Sequence, residues 1–179
     1  MHLLLDTSVL SEARGKNKSE EVKQFLRSLP NEVVAIPLPA IFELERGARM
    51  LAKSEPERAE RFIAWLDRLL ATQPYVPPIT DEVIRLIARM TTVPRLQRFW
   101  RTTKPNDPLR FGCDPAIAAI AIHHRMPIVT RDVGDFMVIH ESFPLPGVYD
   151  PFLRRWHVPA ENEWQFTSGE EIGNCLVFK

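Results

Sequence analysis

Cysteine is scarce. Cys113 and Cys175 are the only two, they lie far apart, and no Cys-x-x-Cys spacing occurs. That excludes a disulfide framework or a zinc ribbon and fits a reducing compartment. Long apolar runs are missing too: none approaches the roughly 20 residues that span a bilayer. The apolar start His2-Leu3-Leu4-Leu5 is stopped at once by Asp6, with no basic leader before it. A soluble, cytoplasmic chain with no membrane partner is therefore expected. Charge of either sign is not in excess, since Lys+Arg and Asp+Glu each total 23. Proteins that coat nucleic acid are usually basic, because phosphate neutralisation dominates affinity. Any such contact here has to come from a local patch. Internal repeats and low-complexity stretches are absent as well.

What is there suits one domain: 179 residues, 45% hydrophobic and 26% charged. Residues 2–5 and 33–36 read as short buried strands. Residues 127–130 read as another, and 75–76, 136–139 and 147–149 supply small strand or edge elements. Helical spacing of apolar residues predicts helices over 19–29, 40–53, 57–71 and 114–125, and over a segment that Thr80 would cap. Strands alternating with helices predict an α/β fold with a parallel sheet covered on both faces. The stretch 93–112 lacks a period and reads as a long loop, and the pattern also weakens from about residue 151.

In such sheets ligands bind outside the carboxyl ends of the strands. Asp6 follows the first strand and Asp132 follows the strand ending at Thr130. Asp114 opens a helix, and Glu43 lies near the start of another. Singly, each has a plain structural reading: Asp6 and Asp114 as helix caps, Asp132 as a turn residue, Glu43 as a solvated charge. Together they bring four carboxylates from distant parts of the chain to one edge. Carboxylates that close repel, and a hard divalent cation with oxygen preference relieves the repulsion. Mg²⁺ or Mn²⁺ held there suits phosphodiester hydrolysis.

The flanking sequences carry a resemblance. Leu-Leu-Asp-Thr-Ser-Val-Leu-Ser-Glu (residues 4–12), Phe-Glu-Leu-Glu-Arg-Gly (42–47), Asp-Pro-Ala-Ile-Ala-Ala (114–119) and Val-Thr-Arg-Asp-Val-Gly-Asp-Phe (129–136) resemble, in order, the four motifs of VapC-type PIN-domain ribonucleases. Gly-Val-Tyr-Asp-Pro-Phe (147–152) is similar to the strand and Pro-aromatic ending of that family. The resemblance implies a PIN-like nuclease domain over 1–152, built as a three-layer α/β/α sandwich with a central parallel sheet. It leaves 153–179 as a C-terminal extension of unassigned role. It further implies a Mg²⁺- or Mn²⁺-dependent endoribonuclease, the toxin of a type II toxin–antitoxin pair, with an RNA substrate, a small antitoxin partner and frequent homodimers. Asp6, Glu43, Asp114 and Asp132 become the metal-site acids, and Thr7 and Thr130 supporting hydroxyls. Asp135 either joins the acidic pocket or caps the turn before Phe136.

Three features depart from the family pattern. Pro115 follows the third acid and suits the first position of a helix. The 93–112 segment and the tail are both additions. Arg95, Arg98, Trp100, Arg101 and Arg110 lie in that segment, and Phe99 and Phe111 are interleaved with them. It reads either as a surface for single-stranded RNA or as a solvated loop that Trp100 anchors to the core. Ile41, Phe42, Phe62 and Trp65 offer either an antitoxin groove or core packing. His123 and His124 fall at the far end of the Asp114 helix, where dipole or surface roles fit. A phosphatase of the haloacid-dehalogenase type needs a second Asp two residues after Asp6, and Ser8 stands there instead. A housekeeping RNA-processing nuclease and a non-catalytic RNA- or partner-binding module remain the alternatives.

Overall fold

The structure is a computed structural model, and it describes residues 2–13, 19–101, 111–160 and Leu176. Arg110, Cys175 and the aromatic residues Trp164, Phe166 and Phe178 lie outside these residues.

The buried run Leu3–Leu5 forms β1, the second strand of a five-stranded sheet in the order β2-β1-β3-β4-β5. The other strands are β2 (Val34–Ala35), β3 (Ile128–Val129), β4 (Val148–Asp150) and β5 (Arg155–Val158). β1, β2, β3 and β4 run parallel, in a register that sets Leu4 beside both Ala35 and Ile128. β5 turns back antiparallel on β4. β1, β2 and β3 are apolar at every position because helices flank the sheet, as the sequence predicts for covered parallel strands.

The helices are α1 (Thr7–Ala13), α2 (Glu20–Ser28), α3 (Leu38–Leu51), α4 (Pro56–Ala71), α5 (Asp81–Thr91), α6 (Cys113–His124) and α7 (Val133–His140). Thr80 caps α5 as expected, its Oγ1 accepting from the Val83 N–H. α6 buries eight of its twelve residues, from Cys113 to Ala121, so it is apolar all round and lies inside the fold. Phe62 and Trp65 are core residues, whereas Phe42 is exposed.

Four readings of the chain need correction. Residues 136–139 are not an edge element but belong to α7, because a four-residue apolar run fits a buried helix as well as a strand. Residues 147–149 contribute to β4, which is not an edge because β5 covers it. Within 93–112, Pro94–Phe99 form a 3₁₀ helix rather than a structureless loop. Pro115 is the third residue of α6, not its first, still within the turn whose N–H groups have no helical acceptor. α1 was not anticipated, since its polar residues mask a short apolar face of Val9 and Leu10. Residues 75–76 give a single parallel bridge between Ala35 and Tyr75.

Candidate active site

Parallel pairing of β1 with β3 brings Asp6 and Thr130, each one residue past a strand end, to the same edge. Asp6 is buried, and three donors fix its carboxylate. The Thr7 N–H donates to Oδ1 at 2.7 Å, and the Ser8 and Thr130 hydroxyls donate to Oδ2 at 2.7 and 2.8 Å. Thr130 Oγ1 in turn accepts from the Asp132 N–H at 2.9 Å, so one hydroxyl ties the first acid to the backbone of the last. The Thr7 hydroxyl donates to Glu43 Oε2 at 2.5 Å. Glu43 is the sixth residue of α3, a helix that starts just beyond the carboxyl end of β2.

Asp114 enters from the first turn of α6. Burial, then the charges of Asp6, Glu43, Asp135 and Asp132, pushes its pKa up to about 8. Burial also raises Asp6 to about 6, against its three donors and with a small push from Asp132. The charges of the other four acids of the motif set thus all bear on Asp114. Asp132 is exposed at the start of α7, and Asp135 one turn on is half-buried and paired with Arg98. The neighbouring Cys113 thiol is pushed up by burial and by Glu43, so it stays protonated.

Among the described residues, no group of three or more His, Cys, Asp or Glu side chains is placed to hold a metal ion as it stands. The donor set is nonetheless all carboxylate and hydroxyl oxygen, with burial and repulsion that a hard divalent cation relieves. That fits an ion such as Mg²⁺, which keeps several waters and takes few protein ligands.

A cavity of about 440 Å³ opens beside the acids, with Phe42, Glu43, Arg46, Arg98, Phe111 and Asp114 in its wall. Of the cationic candidates, Arg98 faces this cavity, Arg95 pairs with Glu141, and Arg101 is exposed. Trp100 is half-buried, and its indole lies against Gly112, where a Cβ would stand 2.2 Å from Nε1. His124 Nε2 sits 2.9 Å from the Pro78 carbonyl and His123 near Thr80, at the end of α6 remote from Asp114.

Three residues of the site had no signal of their own in the sequence. Ser8 joins Asp6 and also accepts from the Arg131 N–H at 3.1 Å. Glu12, almost fully buried, accepts from Arg131 and from the Ser19 N–H. The glutamate that ends the first motif and the arginine inside the fourth thus meet across 119 residues. Only their place inside those motifs hinted at a role.

The sequence matches the family model of the PIN domain over residues 3–136. No curated protein matches it. Among solved structures it is similar to FitAB bound to an IR36 DNA fragment, at 25% identity and a TM-score of 0.58, covering 89% of this chain and 99% of that one. FitAcB from Neisseria gonorrhoeae gives 23% identity and a TM-score of 0.58, covering 84% and 98%. VapBC-1 from nontypeable Haemophilus influenzae gives 20% and 0.53, covering 79% and 94%.

Proposed function

Since the chain belongs to the PIN domain family, we propose that it is a divalent-metal-dependent endoribonuclease and the toxin of a toxin–antitoxin pair. The observation that carries this reading is the group of carboxylates just past β1, on α3, in the first turn of α6 and at the start of α7, where burial and then the neighbouring charges push Asp114 up to about 8. Burying several carboxylates together is costly to a fold, and it is characteristic of sites that gain a function from it.

Asp6, Glu43, Asp114 and Asp132 would hold Mg²⁺ or Mn²⁺, with Asp135 extending the group. Bound there, such an ion supplies positive charge for a phosphodiester and lowers the pKa of water in its shell. The protein's own contribution is orientation. Thr7 and Thr130 bridge acid to acid, so Asp6, Glu43 and the Asp132 backbone keep a fixed mutual placement. Arg98 offers a guanidinium at the cavity wall where a phosphate would enter.

The pairing with a small antitoxin follows from the resemblance of the four motifs to those of VapC-type toxins. A homodimer is part of the same proposal. Wild type and Asp114→Asn incubated with total RNA, each with Mg²⁺ and with EDTA, test the nuclease reading. Cleavage by wild type in Mg²⁺ alone is expected. Equal cleavage by both proteins would mark a contaminant, and none by either would leave a binding module.

A further inference from the structure

Large aromatic side chains normally bury most of their surface, so two exposed ones in contact need a reason. Phe42 is 46% exposed and Phe111 56%. Their ring centroids are 5.3 Å apart at 60°, while Phe62, Trp65, Phe99 and Phe136 pack into the core. Phe42 immediately precedes Glu43 on α3, and Phe111 lies three residues before Asp114 at the start of α6. Phe42 thus shares α3 with Glu43, Phe111 stands two residues before the start of α6 that carries Asp114, and all four side chains share the 440 Å³ cavity. That volume falls in the range of pockets that take a small ligand. Trp100 is not part of this surface; its indole is spent against Gly112, next to Phe111, and anchors the segment.

We propose that Phe42 and Phe111 form a stacking platform for one unpaired base of single-stranded RNA, with Arg46 and Arg98 holding the flanking phosphates. The proposal rests on the nuclease reading and adds to it the state of the substrate. Every base has a π-face that an aromatic ring accepts regardless of sequence, and guanidinium groups beside the rings match the alternation of base and phosphate along a strand. In a duplex the base faces are inside the stack and cannot reach the rings. Ring faces, two guanidinium groups and carboxylates within one cavity suit that alternation better than a uniformly apolar partner.

The test uses a single-stranded RNA oligonucleotide carrying 2-aminopurine, with Kd and fluorescence quenching read in EDTA and cleavage kinetics read in Mg²⁺. For the double variant Phe42→Leu/Phe111→Leu, Kd and KM should rise about 5- to 150-fold, the range for losing one stacked base. Its quenching should be lost and its kcat should stay within about twofold. The double variant Phe42→Tyr/Phe111→Tyr should keep wild-type affinity and quenching. Both positions are exposed, and matching thermal melts, with the single Leu variants beside them, exclude misfolding. Unchanged Kd and quenching in the double Leu variant overturn the platform, as does an equal loss in the Leu and Tyr variants. So does loss of binding to a protein partner while RNA binding persists. If wild type cleaves and the Leu variant behaves like it, the platform alone fails. If wild type never cleaves yet its quenching depends on the two rings, the platform stands and the nuclease reading fails.

Discussion

Asp114 carries a larger electrostatic load than Asp6: its pKa is raised from 3.8 to about 8, against about 6 for Asp6. Both folded-state values lie above those of an unfolded aspartate, so between them the folded protein binds more protons than the unfolded chain. The linkage then has one sign. The contribution of these two groups to stability is greatest below about 4, declines as pH rises through 6 towards 8, and their full cost is present above that. In EDTA, Asp114→Asn should raise the melting temperature at pH 8 and change it little at pH 4; an equal shift at both would show that charge is not the cause. The hydroxyls act differently, by orientation. Thr130→Val removes a donor to Asp6 and the acceptor of the Asp132 N–H at once. It should lower metal affinity or activity about 10- to 100-fold, measured by Mn²⁺ titration and cleavage rate, while Thr130→Ser should restore most of both.

Two contacts between elements hold the site together from outside. Glu12 on α1 accepts from Arg131, which lies between β3 and α7, and the guanidinium also sits 5.5 Å from the Phe152 ring centroid. Only Glu12 is fully buried, so Arg131→Met leaves a carboxylate short of a donor inside the fold. About 1–3 kcal/mol of stability should be lost, read from urea melts, and Glu12→Gln in the same background should recover part of it. The second contact is the indole of Trp100 on Gly112. Any Cβ at 112 overlaps that ring, so Gly112→Ala must displace either Trp100 or the start of α6. A shift in tryptophan fluorescence with a fall in RNA cleavage is expected, because Phe111, Cys113 and Asp114 follow the same backbone; an unshifted spectrum would show that the ring does not bear on Gly112.

At the level of the whole molecule, the sheet continues past residue 152. β5 pairs with β4, and its Trp156 lies 5.0 Å from Tyr149, which in turn lies 5.4 Å from Phe25. A chain ending at Phe152 loses this covering strand and bares the β4 edge, a ready template for aggregation. It should melt lower and aggregate more than a chain ending at Ala160, as differential scanning fluorimetry and light scattering would show. If the two melt together, β5 contributes nothing to the core. Overall neutrality is not in conflict with the proposed RNA substrate, because Arg46 and Arg98 stand together at one cavity.

The amino-acid sequence determined the elements whose signals are local. Short apolar runs stopped by polar residues marked β1 and β3, helical spacing marked α2 to α6, and Thr80 marked a cap. It also supplied the order of the acids, because each sits within a few residues of its own motif. It did not separate α7 from a strand, since four apolar residues carry no period, and it did not reveal β5, whose partner strand is needed to define it. Tertiary structure alone decided which groups meet: Ser8 and Thr130 on one carboxylate oxygen, Glu12 with Arg131, Phe42 beside Phe111. Those pairs are separated by tens of residues or more, and only parallel pairing of β1 with β3 and the inward placement of α6 bring them together. Asp6 and Asp114 acquire their raised pKa values in the same way, from burial and neighbours that exist only in the folded chain.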